Sequence, residues 1–400
     1  MHVEPITCLR PQREYAQEFC ALPYDVFTYE SARAYIESHP RTFLAIDRPD
    51  ATFEADDIPQ GEALYQRAQK ILRDRQLDKT LTIDETPCIY LYEQTHGDHK
   101  QLGVMAAVSV DDYIDGTIRQ HERTLINKEQ DRVDHIKGIR AQTGPVFLAY
   151  PDSLAVDMII SAAKMADPLY DFVSEDGVRQ RVWRIARPSA IEAICLAFSS
   201  VSAAYIADGH HRAAAAVTIA KERRAEGRVN DPAEAFLAVL FPESQLQILA
   251  YDRVVADTYG LSTAELTEAV RAAGFVVEGP LDDIEIASRH TFGMFVDGSW
   301  YRLTFEGDQD ALDVALLQDK VLAPILGIED PRSDVRIEFV GGVTPSELAA
   351  VTPSAGVSFA LFPTSMEELV SISDAGGIMP PKSTWFDPKL LSGFALRRIW

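Results

Sequence analysis

The sequence predicts a mixed α+β fold, and three observations carry that expectation. Short strand-like runs and amphipathic helical stretches alternate irregularly, without the even βαβ cadence of a barrel. A buried strand in mid-chain passes through a tight loop into an alanine-rich helix. No internal repeat or low-complexity segment is visible. With 400 residues, 46% of them hydrophobic, the chain can bury a substantial core. A prior of about 150 residues per domain suggests two or three lobes. We place the boundaries near residues 115 and 255, giving an N-terminal α/β lobe (1–115), a central core (116–255) and a C-terminal α/β lobe (256–400).

The elements follow from periodicity and punctuation. Leu22-Pro23-Tyr24-Asp25 is an extended segment leading into a helix over Tyr29–Ser38, where Ala32, Tyr35 and Ile36 form one face. Residues 43–46 read as a strand and 62–76 as an amphipathic helix. Residues 87–92 and 101–110 are β-rich and flank His96-Gly97-Asp98-His99, which makes a hairpin. The charged stretch from Glu122 to Arg140 reads as a helix that stops at Thr143-Gly144-Pro145, and Val146–Tyr150 is a strand. Residues 153–165 and 189–198 read as helices, with an extended segment over 182–186 between them. Residues 201–207 are a buried strand, followed by a helix from Ala213 to Arg224 with five alanines in its first eight residues. Farther on, 236–241, 246–255, 291–295, 300–305 and 336–340 read as strands, and 262–273 and 311–322 as helices. Met379-Pro380-Pro381-Lys382-Ser383-Thr384-Trp385-Phe386 is a proline-stiffened loop.

Charge and cysteine usage narrow the function. The formal net charge of −23 repels a phosphate backbone, which argues against nucleic acid as a partner. Four scattered cysteines, Cys8, Cys20, Cys88 and Cys195, signal neither a disulfide framework nor a thiolate metal site. No run approaches the roughly 18 apolar residues of a membrane span, and no secretory segment opens the chain. A cytoplasmic protein is expected.

The segment Ala207-Asp208-Gly209-His210-His211-Arg212 carries the clearest chemistry. Gly209 permits a positive-φ turn between a buried strand and a helix, whose free N–H groups and dipole favour an anion. Arg212 can grip phosphate oxygens with its planar fork, Asp208 can hold a hydrated Mg2+, and His210 and His211 can move protons. The bland alternative is a capping Asp208 with two surface histidines.

A second segment, Arg119-Gln120-His121-Glu122-Arg123-Thr124, sets a carboxylate beside cations at the start of the charged helix. Glu122 can accept a proton from a substrate hydroxyl while His121 and Arg123 neutralise phosphate charge, or the segment is a solvated, ion-paired face. Lys382, with Ser383 and Thr384, follows two prolines that pre-set the loop to present a cation and two hydroxyls to a ligand, or Trp385 and Phe386 simply pack that loop down. His96, Asp98 and His99 fit a polar hairpin tip better than a metal site. Asp330 to Gly342 reads equally as a structural strand and turn, and the glycines of Asp374-Ala375-Gly376-Gly377 alone are weak evidence of a site. Dinucleotide, Walker and G-x-S-x-G motifs are absent.

Six blocks together resemble the prokaryotic family known as domain of unknown function 1015, over nearly the whole chain. They are Leu22-Pro23-Tyr24-Asp25-Val26, His121-Glu122-Arg123-Thr124, Pro145-Val146-Phe147-Leu148, Ala207 to Arg212, Arg336 to Gly342 and Met379 to Phe386. The central block also resembles the D-G-H-H-R motif of ParB-like free serine kinases, whose ParB/sulfiredoxin-type fold binds a nucleotide and phosphorylates free L-serine. That resemblance implies a ParB/sulfiredoxin-like nucleotide-binding core with additional α/β lobes. Asp208 to Arg212 would then hold nucleotide phosphates and Mg2+, and Glu122 would be the base. Sulfiredoxin has a cysteine before its final His-Arg where His210 stands here, so cysteine sulfinic reduction is not implied. The acidic balance and the lack of a helix-turn-helix also set the chain apart from DNA-segregating relatives of that fold.

The expected function is phosphoryl transfer to a small hydroxyl compound, free L-serine or a similar molecule, with ADP or ATP as donor and Mg2+ as cofactor. The partners are then a nucleotide and a small substrate. Two other readings stay open: a non-catalytic nucleotide-binding regulator, and a phosphoester hydrolase using His210 or His211.

Overall fold

Helices and strands are mixed throughout the chain, as an α+β class requires. The computed structural model describes residues 1–164, 166–228, 230–308 and 310–399. The chain forms two compact units, one from residues 1–246 with 388–400 and one from residues 247–387. Residue 115 closes a short helix inside the first unit, and the chain leaves that unit after 246 and returns at 388.

The first unit is built on a nine-stranded mixed sheet. In chain order its strands are β1 (Val3–Glu4), β2 (Ile89–His96), β3 (His99–Ser109), β4 (Ile118–Arg119), β5 (Val146–Tyr150), β6 (Tyr170–Val173), β7 (Arg179–Ile185), β8 (Ala204–Asp208) and β9 (Ala235–Pro242). Their spatial order is β4-β8-β5-β9-β3-β2-β7-β6, with β1 alongside β3. The pairs β4–β8 and β5–β9 are parallel and the others antiparallel. The β2–β3 hairpin turns at Gly97, where φ is +56°, so His96 and His99 face each other across the expected tip.

Three helices position the functional region: α1 (Glu62–Leu77), α2 (Ile126–Ile139) and α3 (His210–Ala225). On one side α3 presents Ala213, Ala216, Val217 and Ala220 to Leu148, Ile206 and Leu240 of the sheet, together with Phe198. On another it gives Ala215 and Ile219 to Val133 and Ile136 of α2. A helix packed on several sides must be small and apolar around most of its circumference, which is what the alanine run supplies. Gly138 lets α2 cross α1 closely, because a Cβ there would collide with Cβ of Tyr65. We expect Gly138→Ala to destabilise the unit by about 2 kcal/mol by overpacking, despite its better helix propensity. Urea unfolding measures this, and an unchanged midpoint would show that the two helices can separate freely.

Several elements differ from the sequence expectation. Residues 43–46 are not a strand; Leu44–Asp47 is one buried helical turn, since so short an apolar run has no period to distinguish the two. The charged helix begins at Ile126 rather than Glu122. It ends at Ile139, with Arg140 left-handed, before the glycine and proline expected to stop it. The helix expected over 153–165 spans Leu154–Ala163 with Ser153 as its cap, and residue 165 lies outside the described residues.

The second unit holds an antiparallel six-stranded sheet in the order Phe275–Leu281, Ser299–Phe305, Thr291–Val296, Val357–Ala360, Tyr251–Val255, Ile337–Gly341. The strand expected over 246–255 breaks at Ala250. Its first part, Gln247–Leu249, pairs instead with Trp385–Asp387 at the end of the proline-stiffened loop. The helix expected over 311–322 is α-helical at Asp313–Leu317 and widens into a π-turn at Gln318–Leu322.

Candidate functional site

Strand β8 is buried from Ala204 to Ala207 and surfaces at Asp208. Gly209 follows with φ +94°, the left-handed conformation a glycine tolerates, and α3 starts at once. The N-cap position is taken by Gly209, which has no side chain to cap the helix. The Asp208 carboxylate before it meets Nη2 of Arg212, one turn later, at 2.5 Å.

Arg212 ties the loop together. Its Nη1 donates to the Pro145 carbonyl, and its guanidinium lies so close over Gly209 that a Cβ there would sit 3.0 Å from Nε. Gly144 makes room from the other side, where a Cβ would be 3.1 Å from Nη1. Gly209→Ala therefore meets two obstacles, a positive φ and the guanidinium. We expect a loss of about 1–2 kcal/mol in thermal or urea unfolding; a neutral result would show that Arg212 moves without penalty.

The two histidines are not surface groups. His210 is 5% exposed and its ring stands perpendicular to that of His121, itself 3% exposed, with centroids 4.5 Å apart. Burial drives the His121 pKa down to about 4, against the opposing pull of the Asp208 charge. Burial, then the neighbouring His121, holds His210 well below the ordinary imidazole value. Both rings are thus neutral near pH 7. The Nε2 atom of His210 has no hydrogen-bond partner among the described residues. His211 is half-buried and its Nε2 accepts the Leu125 N–H at 3.0 Å, which leaves its proton on Nδ1 when neutral.

The Leu125 contact belongs to the second predicted segment. Parallel pairing of β4 with β8 sets Ile118 beside Ala204 and Arg119 beside Tyr205, so the two segments singled out in the sequence leave adjacent strands in the same direction. Residues 120–125 form the loop from β4 to α2, not the start of a helix. Glu122 is half-buried there and Arg123 is exposed. Glu129 fastens α2 to this region by accepting from Thr124 at 3.1 Å and from Thr218 of α3 at 2.9 Å. Lys382 lies in the second unit, left-handed at φ +56°, with its ammonium 5.5 Å above the Tyr251 ring.

Behind Arg212 lies a cavity of about 20 Å3, room for roughly one water molecule. Tyr24, Asp47, Arg132, His135 and Thr143 line it with Arg212. Asp47 accepts from Thr143 at 2.7 Å, His135 meets the Ile46 carbonyl at 2.9 Å, and Arg132 lies 4.1 Å over the Tyr24 ring. Tyr24 thus brings the Leu22 to Val26 block to the underside of the motif. Sequence reasoning passed over Asp47, a single acid after an apolar run, and Arg132 and His135, which are two polar residues among many in a charged stretch.

The family model of DUF1015, described as a protein of unknown function, matches residues 3–317. The chain belongs to this family. Four of the six blocks that pointed to it lie within the matched span, and the blocks at residues 336–342 and 379–386 lie beyond it. No curated protein matches the chain. Among solved structures, C-terminally truncated SbnI from Staphylococcus aureus aligns at 11% identity and TM-score 0.39, covering 73% of this chain and 87% of its own. A conserved hypothetical protein from Pyrococcus furiosus aligns at 13% identity and TM-score 0.37, covering 74% and 95%. A free serine kinase in complex with AMP aligns at 15% identity and TM-score 0.35, covering 71% and 86%. These likenesses concern the fold alone. Among the described residues, no helix is long and apolar enough to cross a membrane.

Proposed function

We propose that this DUF1015 chain is a small-molecule phosphotransferase, a nucleotide-dependent kinase of free L-serine or a similar hydroxyl compound. One observation supports the reading: the amino terminus of α3, reached through left-handed Gly209, lies beside the Glu122 loop, because the two segments leave adjacent parallel strands. The first N–H groups of α3 would receive phosphate oxygens. Arg212 would hold Asp208 and the Pro145 carbonyl in place and lend positive charge to the phosphates. Arg123 is proposed as a further phosphate contact, while Lys382 belongs to the other unit.

The acceptor hydroxyl would attack the terminal phosphorus, its proton passing to Glu122 as the bond to the leaving nucleotide oxygen breaks. His211 would donate from Nδ1 to a phosphate oxygen. Buried neutral His121 and His210 would shape the floor of the site, and the Nε2 of His210 would take a hydrogen bond from ligand or water. Among the described residues, no three His, Cys, Asp or Glu side chains converge as a metal cage. Asp208 alone fits Mg2+ in the manner that ion favours, with one carboxylate and the rest of its shell from phosphates and water. Bound there, Mg2+ would neutralise phosphate charge.

The test incubates purified protein with magnesium, a panel of ATP, ADP and AMP, and pooled amino acids and polyols, reading products by mass spectrometry. We expect an O-phosphorylated product, with turnover about 100-fold lower in Glu122→Gln and nucleotide binding retained. One observation favours a second reading, a nucleotide-binding regulator: the Arg212 fork is already engaged with protein oxygens. Saturable nucleotide binding without product in any pool would establish that reading. Phosphate release without an acceptor would point to hydrolysis instead.

A further inference from the structure

At the opposite end of α2 from the candidate site, a second cleft of about 380 Å3 opens between α1 and the strand Leu396–Arg398. Lys70, Arg73, Arg140 and Arg398 line it with Gln66 and Gln69, and among the described residues no side-chain carboxylate does. In a chain of net charge −23, four cations without an acid in one cleft run against the overall balance. Lys70 reaches Asp74 at 3.4 Å, whereas Arg73, Arg140 and Arg398 make no ion pair among the described residues.

The backbone of Arg140 gives an independent sign. It follows the last turn of α2 at φ +59°, ψ +33°, where glycine is the usual residue because a Cβ is disfavoured. Its carbonyl accepts the Ile399 N–H at 3.3 Å, so the conformation is fixed by the neighbouring strand. A strained arginine is retained where glycine would fit better. The negative end of the α2 dipole accounts for one nearby cation but not for four.

We propose that this cleft is a second anion site, taking a compact polyanion of the phosphorylated small-molecule class. The arginine forks would grip phosphate oxygens and the glutamine amides would donate to the remaining polar atoms. Its volume suits a small metabolite rather than a polymer.

Inorganic pyrophosphate is the probe, titrated calorimetrically into the full chain. We expect saturable binding that survives Arg212→Ala and weakens at least about tenfold in the double variant Arg140→Gly, Arg398→Gln, with a steep salt dependence. Because glycine relieves the positive φ, Arg140→Gly alone is expected to leave the melting temperature unchanged or raise it. Pyrophosphate binding unchanged in the double variant, or abolished by Arg212→Ala, would overturn the proposal. So would a double variant that melts well below the parent, which would assign the arginines to packing. Binding of an oligonucleotide without binding of pyrophosphate would overturn it too.

Discussion

Arg212→Ala is expected to weaken nucleotide binding by more than about 100-fold, and Arg212→Lys is expected not to restore it. The guanidinium holds three things at once: the Asp208 carboxylate, the Pro145 carbonyl and the face of Gly209. Alanine removes the Arg212 charge from beside the half-buried Asp208 carboxylate at the proposed anion site, where that carboxylate would then repel phosphates more strongly. Lysine keeps the charge but supplies a point donor in place of a planar fork, so it can meet one oxygen and not both. Calorimetric titration of ATP, ADP and AMP into both variants checks this. Wild-type affinity in Arg212→Lys would reduce the role of Arg212 to charge alone.

Acidification is expected to unfold the first unit progressively, through His121 and His210. In the unfolded chain these imidazoles take up a proton near pH 6.5, whereas in the folded unit His121 resists until about pH 4. The unfolded state therefore binds more protons over that interval. The stability that neutral His121 contributes is complete above pH 6.5 and is lost as pH falls toward 4, by about 3 kcal/mol. His210 acts in the same direction. The second unit responds with the opposite sign, because burial raises Asp252 to about 7 and Asp313 to about 6, so protonation of these carboxyls favours that fold. The measurement is thus the difference between wild type and His121→Asn in urea unfolding from pH 8 to pH 4. Parallel curves would show that His121 carries no such load.

What the sequence made legible was local. The alanine run after a buried strand gave the glycine turn and α3, and β-rich runs on either side of the polar turn His96 to His99 gave the hairpin. Residues 43–46 were misread because four apolar residues fit a strand and a helical turn alike. The helix start at Glu122 was misread because charge density continues through the loop into α2 without a capping residue to mark the boundary. Both motif segments were visible, but their adjacency was not, since the β4–β8 pairing is a long-range contact that no spacing encodes. The support beneath Arg212 was hidden for the same reason: Asp47 meets Arg132 and His135 only after two distant segments fold together.

The return of the chain at residue 388 has a consequence for its synthesis. The strand Leu396–Arg398 completes a small sheet between Cys8–Pro11 and Ala141–Gln142, and Arg397 reaches the carbonyls of Pro232 and Ala235. Residues 247–387 can fold while still attached to the ribosome, as a continuous piece. The unit that carries the motif must wait, one sheet unfinished, until residues 388–399 have emerged. The half that carries the motif is translated first and finished last.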